Sequence, residues 1–180
     1  MRCFIAIEIP EEIKKEIIKI QKQLPEFRGK FTEKENLHLT LKFLGEIDEE
    51  KLGEIRERLK EIKFGHFETE IDSIGIFDNR KSNKYEQSII VWLHMKNCNE
   101  LQKQIDSKLE RLFEKEKRFM SHLTIARVKS VRDKKVFTER LYEINIPKMK
   151  FYVNSFSLKE SILTAKGSVY NDVEVYNLKI

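Results

Sequence analysis

Two short strings of this 180-residue chain nearly repeat each other: His38-Leu39-Thr40-Leu41 and His122-Leu123-Thr124-Ile125. Each lies in an alternating segment, Leu37 to Phe43 and Ser121 to Arg127. Alternation with period two belongs to a β-strand, whose successive side chains point to opposite faces. A strand that buries Leu39 and Leu41 therefore presents His38 and Thr40 together on its other side. The second strand presents His122 and Thr124 in the same way. Any fold open to this chain must accommodate two such strands, one in each half.

A lone histidine on a strand is ordinarily a polar residue on a solvated face, and a single His-x-Thr carries no signal. Two of them, each followed by apolar strand-like residues, are far less easily produced by accident. Two imidazoles, each with a hydroxyl two residues on, are the groups needed for paired acid and base work at a phosphate. A zinc site explains them less well, because neither string has a second His, Cys or carboxylate at ligand spacing. The four histidines, at 38, 66, 94 and 122, are evenly spaced, but the sequence around His66 and His94 does not repeat the other two. These two lack a same-face hydroxyl two residues on and read as structural or surface residues.

The first strand is expected from about Cys3 to Ile9. Pro10 then opens a helix, where its missing N–H costs nothing. Ile13, Ile17, Ile20 and Leu24 form that helix's apolar stripe, Glu11 and Glu12 suit its N-terminal dipole, and Pro25 stops it. A polar stretch from Arg28 to Asn36 leads into the first His strand, which ends at Gly45. Asp48 is placed to cap a second helix carrying Leu52, Ile55, Leu59 and Ile62. Two β-like runs follow, Phe67 to Phe77 and Tyr85 to Met95, separated by the polar loop Asp78 to Lys84. A third helix is expected from Asn99 to Glu116, using Leu101, Ile105, Leu109 and Leu112. After the second His strand come a helix through Val136, Phe137, Arg140 and Leu141 and two strands, Lys150 to Ile162 and Val169 to Leu178, joined at Lys166-Gly167. No Pro/Gly/Ser linker divides the chain, so one domain over residues 1–180 is expected. The element order is α+β in class, with antiparallel sheets face to face and helices outside.

Hydrophobic residues make up 40% and charged residues 36% of the chain, which fits a highly charged globular protein rather than a disordered one. The net charge of +5 suits a polyanionic partner and equally a lysine-rich solvated surface. Cys3 and Cys98 sit among apolar neighbours and read as buried thiols of a reducing compartment. The longest apolar run, Ile89 to Leu93, is too short to cross a bilayer, and no leader with a cleavage site is visible at the N-terminus. A cytoplasmic protein without membrane attachment is expected.

The chain resembles the two-histidine (2H) phosphoesterases, and among them the RNA 2′,3′-cyclic phosphodiesterase group, also called the 2′-5′ RNA ligase family. The opening Arg2 to Pro10 is similar to that family's first strand. The run Glu35 to Glu46 resembles its first signature and Ser121 to Arg127 its second, including the arginine five residues after the histidine. Leu158 to Ser161, with Gly167, Tyr170 and Leu178, follows its closing pattern. The resemblance implies two lobes related by a pseudo-twofold axis with a cleft between them. It also implies hydrolysis of RNA 2′,3′-cyclic phosphate ends to a 2′-phosphomonoester, with a second activity, the reversible joining of a 5′-hydroxyl to the cyclic phosphate as a 2′-5′ bond. His38 would be the proton donor and His122 the base that activates water, while Thr40 and Thr124 would bind the phosphate. The chain is expected to use no metal and no cofactor, and to act as a monomer on RNA ends such as those of tRNA halves. The residues alone do not separate donor from acceptor.

Three positions stay open at this level. Arg127 lies an odd number of residues after His122, so a regular strand would turn it to the wrong face. A bulge, the strand's end, or reach from beyond the edge would bring it back to bind phosphate or stack on the terminal base. Phe4 either offers the other face of such a stack or is a core residue of the first strand. Lys42 shares parity with His38 and either adds positive potential at the cleft or is ordinary strand polarity. Two rival functions remain: a non-catalytic module that grips RNA ends, and a phosphodiesterase of small cyclic nucleotides or 2′-5′ oligonucleotides.

Overall fold

Both His strings form strands, and they sit in different sheets. The computed structural model describes residues 1–81 and 88–179. In chain order these contain β1 (Arg2–Glu8), α1 (Glu11–Gln21), β2 (Arg28–Phe31), β3 (His38–Glu46), α2 (Glu49–Lys60), β4 (Phe67–Asp78), β5 (Ile89–Met95), α3 (Asn99–Leu109), β6 (His122–Ser130), α4 (Lys134–Glu143), β7 (Met149–Val153), β8 (Ser155–Thr164) and β9 (Gly167–Asn177). One antiparallel sheet has the order β3-β1-β8-β9 and the other β2-β6-β5-β4-β7. The two His strands, β3 and β6, approach one another where the sheets meet.

Local chemistry accounts for the helix starts. Pro10 precedes α1, and Glu11 and Glu12 occupy its first turn. Asp48 accepts the Lys51 N–H at 2.8 Å and Asp133 accepts the Val136 N–H at 3.1 Å, capping α2 and α4. The helices interlock the two sheets. The chain leaves β1 into α1, yet α1 packs on β6 of the other sheet; it leaves β5 into α3, yet α3 packs on β3. Ile13, Ile17 and Ile20 of α1 and Leu101, Ile105 and Leu109 of α3 join Leu39, Leu41, Leu123 and Ile125 in one continuous apolar core.

Several expectations are corrected. The third helix stops at Leu109 rather than Glu116. Its continuation folds back because the Asp106 carboxylate accepts the Glu116 N–H at 2.9 Å, while Lys42 donates to the Glu114 carbonyl at 2.8 Å. The stretch before the first His strand contains β2, an edge strand whose four residues are all exposed. With neither face buried it has no alternation to read. The expected strand Lys150 to Ile162 is two strands broken at Asn154: β7 pairs with β4 and β8 with β1, so the chain changes sheets within a single residue. Part of the expected Tyr85 strand, and of the Asp78 to Lys84 loop, lies outside the described residues.

β3 and β6 share one pattern of exposure along nine residues, half-buried His and Thr included. In both, two consecutive buried positions interrupt the alternation: Leu41 and Lys42 in β3, Ile125 and Ala126 in β6. The ladders explain this. Ile5 pairs with Lys42 and Ala6 with Thr40, leaving Leu41 as an extra residue; Val91 pairs with Ala126 and Trp92 with Thr124, leaving Ile125. These are β-bulges at equivalent places, and each inverts the parity of the residues that follow it, up to a second register shift at Leu44 in β3 and at Lys129 in β6. Lys42 is thereby turned inward, away from the His38 face. It is buried and pairs with Asp106 at 2.5 Å, and Asp106 also accepts from Gln102 at 2.9 Å. The cleft role considered for Lys42 is excluded by this placement. The β6 bulge is held from α1, where buried Gln21 donates from Nε2 to the Ile125 carbonyl at 2.9 Å and to the Thr32 carbonyl at 2.9 Å.

Removing one member of a buried ion pair leaves the other charge uncompensated, at a cost of about 3–5 kcal/mol. Lys42→Met is expected to lose stability on that scale in urea unfolding, and Lys42→Met/Asp106→Leu to recover most of it. Equal losses in the single and double variants would show that the stranded carboxylate is not the cause.

Candidate active site

His38 and His122 open their strands, and both line one cavity of about 580 Å³ between the sheets. Each imidazole is fixed by the chain just before it. His38 Nδ1 lies 2.8 Å from the Asn36 carbonyl and His122 Nδ1 lies 2.8 Å from the Met120 carbonyl. A carbonyl only accepts, so Nδ1 carries the hydrogen in both rings and Nε2 is left for other partners. His38 Nε2 stands 3.0 Å from Thr40 Oγ1, where it accepts the hydroxyl proton. Thr40 and Thr124 line the same cavity, as alternation requires.

Aromatic rings wedge each imidazole. The His38 ring lies 5.0 Å from Phe4 and meets Tyr170 at 5.2 Å; the His122 ring meets Phe77 at 5.0 Å and Trp92 at 6.5 Å. Trp92 fits only because residue 75 is glycine, since a Cβ there would come within 2.3 Å of the indole. Burial among these groups pushes the His38 imidazole down to about 4, against smaller upward contributions from the Asn36 carbonyl and the Glu8 carboxylate. Glu8 is cross-strand from His38 and is itself held by Lys159 and, at 3.8 Å, by Lys14.

Beyond the bulges, Phe43 of β3 and Arg127 of β6 both emerge on the His face and line the cavity. The bulge is thus what re-aims Arg127. Phe43 occupies the matching place in the other sheet and is 67% exposed. Phe4 is only 3% exposed, enclosed by His38, Tyr170 and Phe43. It forms part of the cavity wall and presents little open face for stacking. Phe43 and Phe77 were not singled out as site residues from the sequence, and Tyr170 was named there only as part of the closing pattern. For Phe43 a signal existed, because the parity question posed by Arg127 applies equally to the residue five beyond His38. His94 bonds Asp72 at 2.8 Å and His66 packs near Tyr152; neither lines the cavity.

The pattern of the LigT-like phosphoesterase family matches residues 7–85 and 94–170. The chain belongs to the LigT-like phosphoesterases. It is 38% identical to a protein of Archaeoglobus fulgidus over 98% of this chain and 99% of the relative, and 39% identical to one of Methanocaldococcus jannaschii over 97% and 99%. Both relatives are named RNA 2′,3′-cyclic phosphodiesterase. Among solved structures, Escherichia coli LigT complexed with phosphate superposes with a TM-score of 0.76 at 25% identity, covering 99% of this chain and 98% of that one. The same enzyme complexed with 3′-AMP gives 0.76 at 26% identity, with the same coverage. This LigT-like chain therefore has the α+β architecture of its family, with antiparallel sheets and a cavity between its two histidine strands.

The depressed His38 titration has a definite sign for stability. The folded chain keeps this imidazole neutral down to about pH 4, whereas an unfolded chain protonates it near 6.5. Between those values the unfolded state binds more protons, so the His38 contribution to stability falls as pH drops from about 6.5 to about 4. NMR titration of the ring protons is expected to place the His38 midpoint near 4, and His38→Gln to flatten the acid limb of the stability curve. A midpoint near 6.5 would show that burial does not govern this ring.

Proposed function

We propose that this chain hydrolyses RNA 2′,3′-cyclic phosphate ends to a 2′-phosphomonoester and a free 3′-hydroxyl, using its own side chains and no metal ion. The observation that carries the reading is the convergence of two His-x-Thr pairs on one cavity, each imidazole with Nδ1 tied to the main chain, and with the Nε2 of His38 engaged only by the neighbouring Thr40 hydroxyl. A noncatalytic grip on RNA ends has no need of two such positioned rings. The names of the archaeal relatives support the same substrate.

In this mechanism His122 Nε2 takes a proton from water as its oxygen attacks phosphorus. The P–O3′ bond breaks on the opposite side, and His38 supplies the proton that the departing O3′ needs. Once His38 carries a proton on Nε2 it no longer accepts from Thr40, so Thr40 and Thr124 donate hydrogen bonds to the non-bridging oxygens, where negative charge accumulates. Arg127 adds a fixed cation at the same wall. His38 must be protonated to act as donor, yet burial keeps it neutral in the free chain. The entering phosphate anion reverses that balance, because a negative charge within a few ångströms favours the imidazolium. Substrate binding and proton uptake are then linked, and the donor is charged when a phosphate is present to use it. The same sequence with a 5′-hydroxyl in place of water, its oxygen attacking phosphorus as the P–O3′ bond breaks and O3′ takes a proton, forms a 2′-5′ bond by the same groups. RNA ends of this kind, those of tRNA halves among them, are the substrates this reading calls for.

Each proton transfer is worth about a hundred- to ten-thousandfold in rate. His38→Ala and His122→Ala are each expected to lower kcat on a cyclic-phosphate RNA by at least a hundredfold, with EDTA leaving the unaltered chain at full rate and the product carrying a 2′-phosphate. Full activity in either variant, or loss of activity on chelation, would overturn the proposal.

A further inference from the structure

Resting on that reading of the cavity, we infer that the RNA chain upstream of the cyclic end leaves along the β2–β6 ladder and is held there by a cationic track ending in a second groove. The preferred substrate is then an oligonucleotide rather than a cyclic mononucleotide.

The track starts at Arg127, which lines the catalytic cavity. Lys30 of β2 lies directly opposite it in the ladder, so the two side chains share a face. Two residues further along β2, past a register shift, Arg28 faces Ser130, and both line a second cavity of about 470 Å³. Arg132 and Arg140 line that groove too, beside the apolar Phe27 and Val131. Glu26 and Asp133 are its carboxylates, and Asp133 is engaged in capping α4. Close approach of β2 to β6 is built into the sequence. Gly29 has φ +155°, and a Cβ there would stand 2.1 Å from the Arg127 carbonyl.

Some surface cations are matched with carboxylates, as in Lys96 with Glu70, Lys108 with Glu61 and Arg58 with Glu54. Arg28, Lys30 and Arg132 are exposed and make no ion pair among the described residues. Exposed, unmatched cations on a chain of net charge +5 are what a polyanion binds. The opposite exit from the cavity is not equivalent. There the place of Arg127 is taken by Phe43, and β3 is the edge of its sheet, with no flanking strand in the position of β2.

The length of the track sets the size of the substrate. Thr32 lines the cavity and Arg28 the groove, four residues apart along an extended strand. At about 3.3 Å per residue that is about 13 Å. A stacked nucleic-acid strand advances about 3.4 Å per nucleotide, so about four nucleotides reach from one site to the other. Apolar side chains beside the arginines give the last base a surface to rest on.

The test compares cyclic-phosphate RNAs of one, two, four and eight nucleotides with the unaltered chain and with Arg28→Gln/Arg132→Gln. For the unaltered chain KM is expected to fall with length and level off at about four nucleotides. The double variant is expected to raise KM for the eight-mer about tenfold with kcat retained, and to change cyclic mononucleotide turnover less than twofold. Fluorescence anisotropy with an eight-mer ending in a 3′-phosphate gives a second readout that needs no turnover. There the variant is expected to bind about tenfold more weakly, with a log–log salt slope shallower by about 1.4, or 0.7 per lost phosphate contact. A KM independent of length, or an equal change for mononucleotide and eight-mer, would overturn the track while leaving the hydrolytic reading intact. Should no cyclic phosphate of any length be opened, that reading falls, and the anisotropy of the variant still decides whether the track binds RNA.

Discussion

One additional residue in each of two strands determines what this cavity contains. Were β3 and β6 regular, Lys42 would share the face of His38, while Arg127 and Phe43 would point into the core. The bulges at Leu41 and Ile125 exchange these positions. Inversion of parity is a discrete event, because a pleated strand has only two faces. The apolar stripe changes phase, a lysine is driven into the interior, and the face bearing the histidines acquires a new residue. The buried Lys42–Asp106 pair and the Gln21 contact to the Ile125 carbonyl are the polar consequences of the same shift. Each bulge is secured by a helix that arises from the opposite sheet, so the two sheets hold one another's active-site strand.

Equivalent backbones carry inequivalent chemistry. At the matched position beyond the bulge one sheet presents an exposed phenyl ring and the other a guanidinium. Cross-strand from His38 stands Glu8, neutralised by lysines; cross-strand from His122 stands His94, bonded to Asp72. A reaction that moves a proton in on one side of phosphorus and out on the other is served by such a division. It requires two similar scaffolds, so that both rings reach one atom, and two different environments, so that the rings take different parts. Under the proposed mechanism the anionic substrate itself completes the distinction by charging His38.

Much of this was legible in the chain before its fold was known. Period two placed both His strands, Asp48 marked a helix start, and same-face logic put each Thr beside its His. What could not be read falls into three physical kinds. β2 has no buried face, so no periodicity reports it. The passage from β7 to β8 preserves alternation while changing sheets, and alternation records burial, not which neighbour provides it. The stop of α3 at Leu109 depends on Asp106 accepting a main-chain N–H ten residues on, a tertiary bond competing with helical propensity. The bulges are an intermediate case. Two adjacent buried residues, Leu41 and Lys42, look from sequence like one apolar and one polar strand position, because the counter-charge that permits burial lies 64 residues away.

The same reasoning gives an interior lysine a use beside the histidine cavity where an apolar residue would satisfy the core. A buried ion pair is seldom more stabilising than a well-packed hydrophobic replacement. What it supplies here is placement, since Asp106 accepts from Lys42, from Gln102 and from the main chain of the segment after α3, so one carboxylate joins β3, α3 and the returning loop. An apolar pair would fill the volume and leave that loop untied. Such a junction at Lys42 holds Phe43, its immediate neighbour, on the cavity side, and it fixes the strand four residues beyond His38, whose ring is tied to the Asn36 carbonyl. Under the proposed mechanism, geometry at the reacting phosphorus is therefore anchored by charge in the core, on the far side of the same strand.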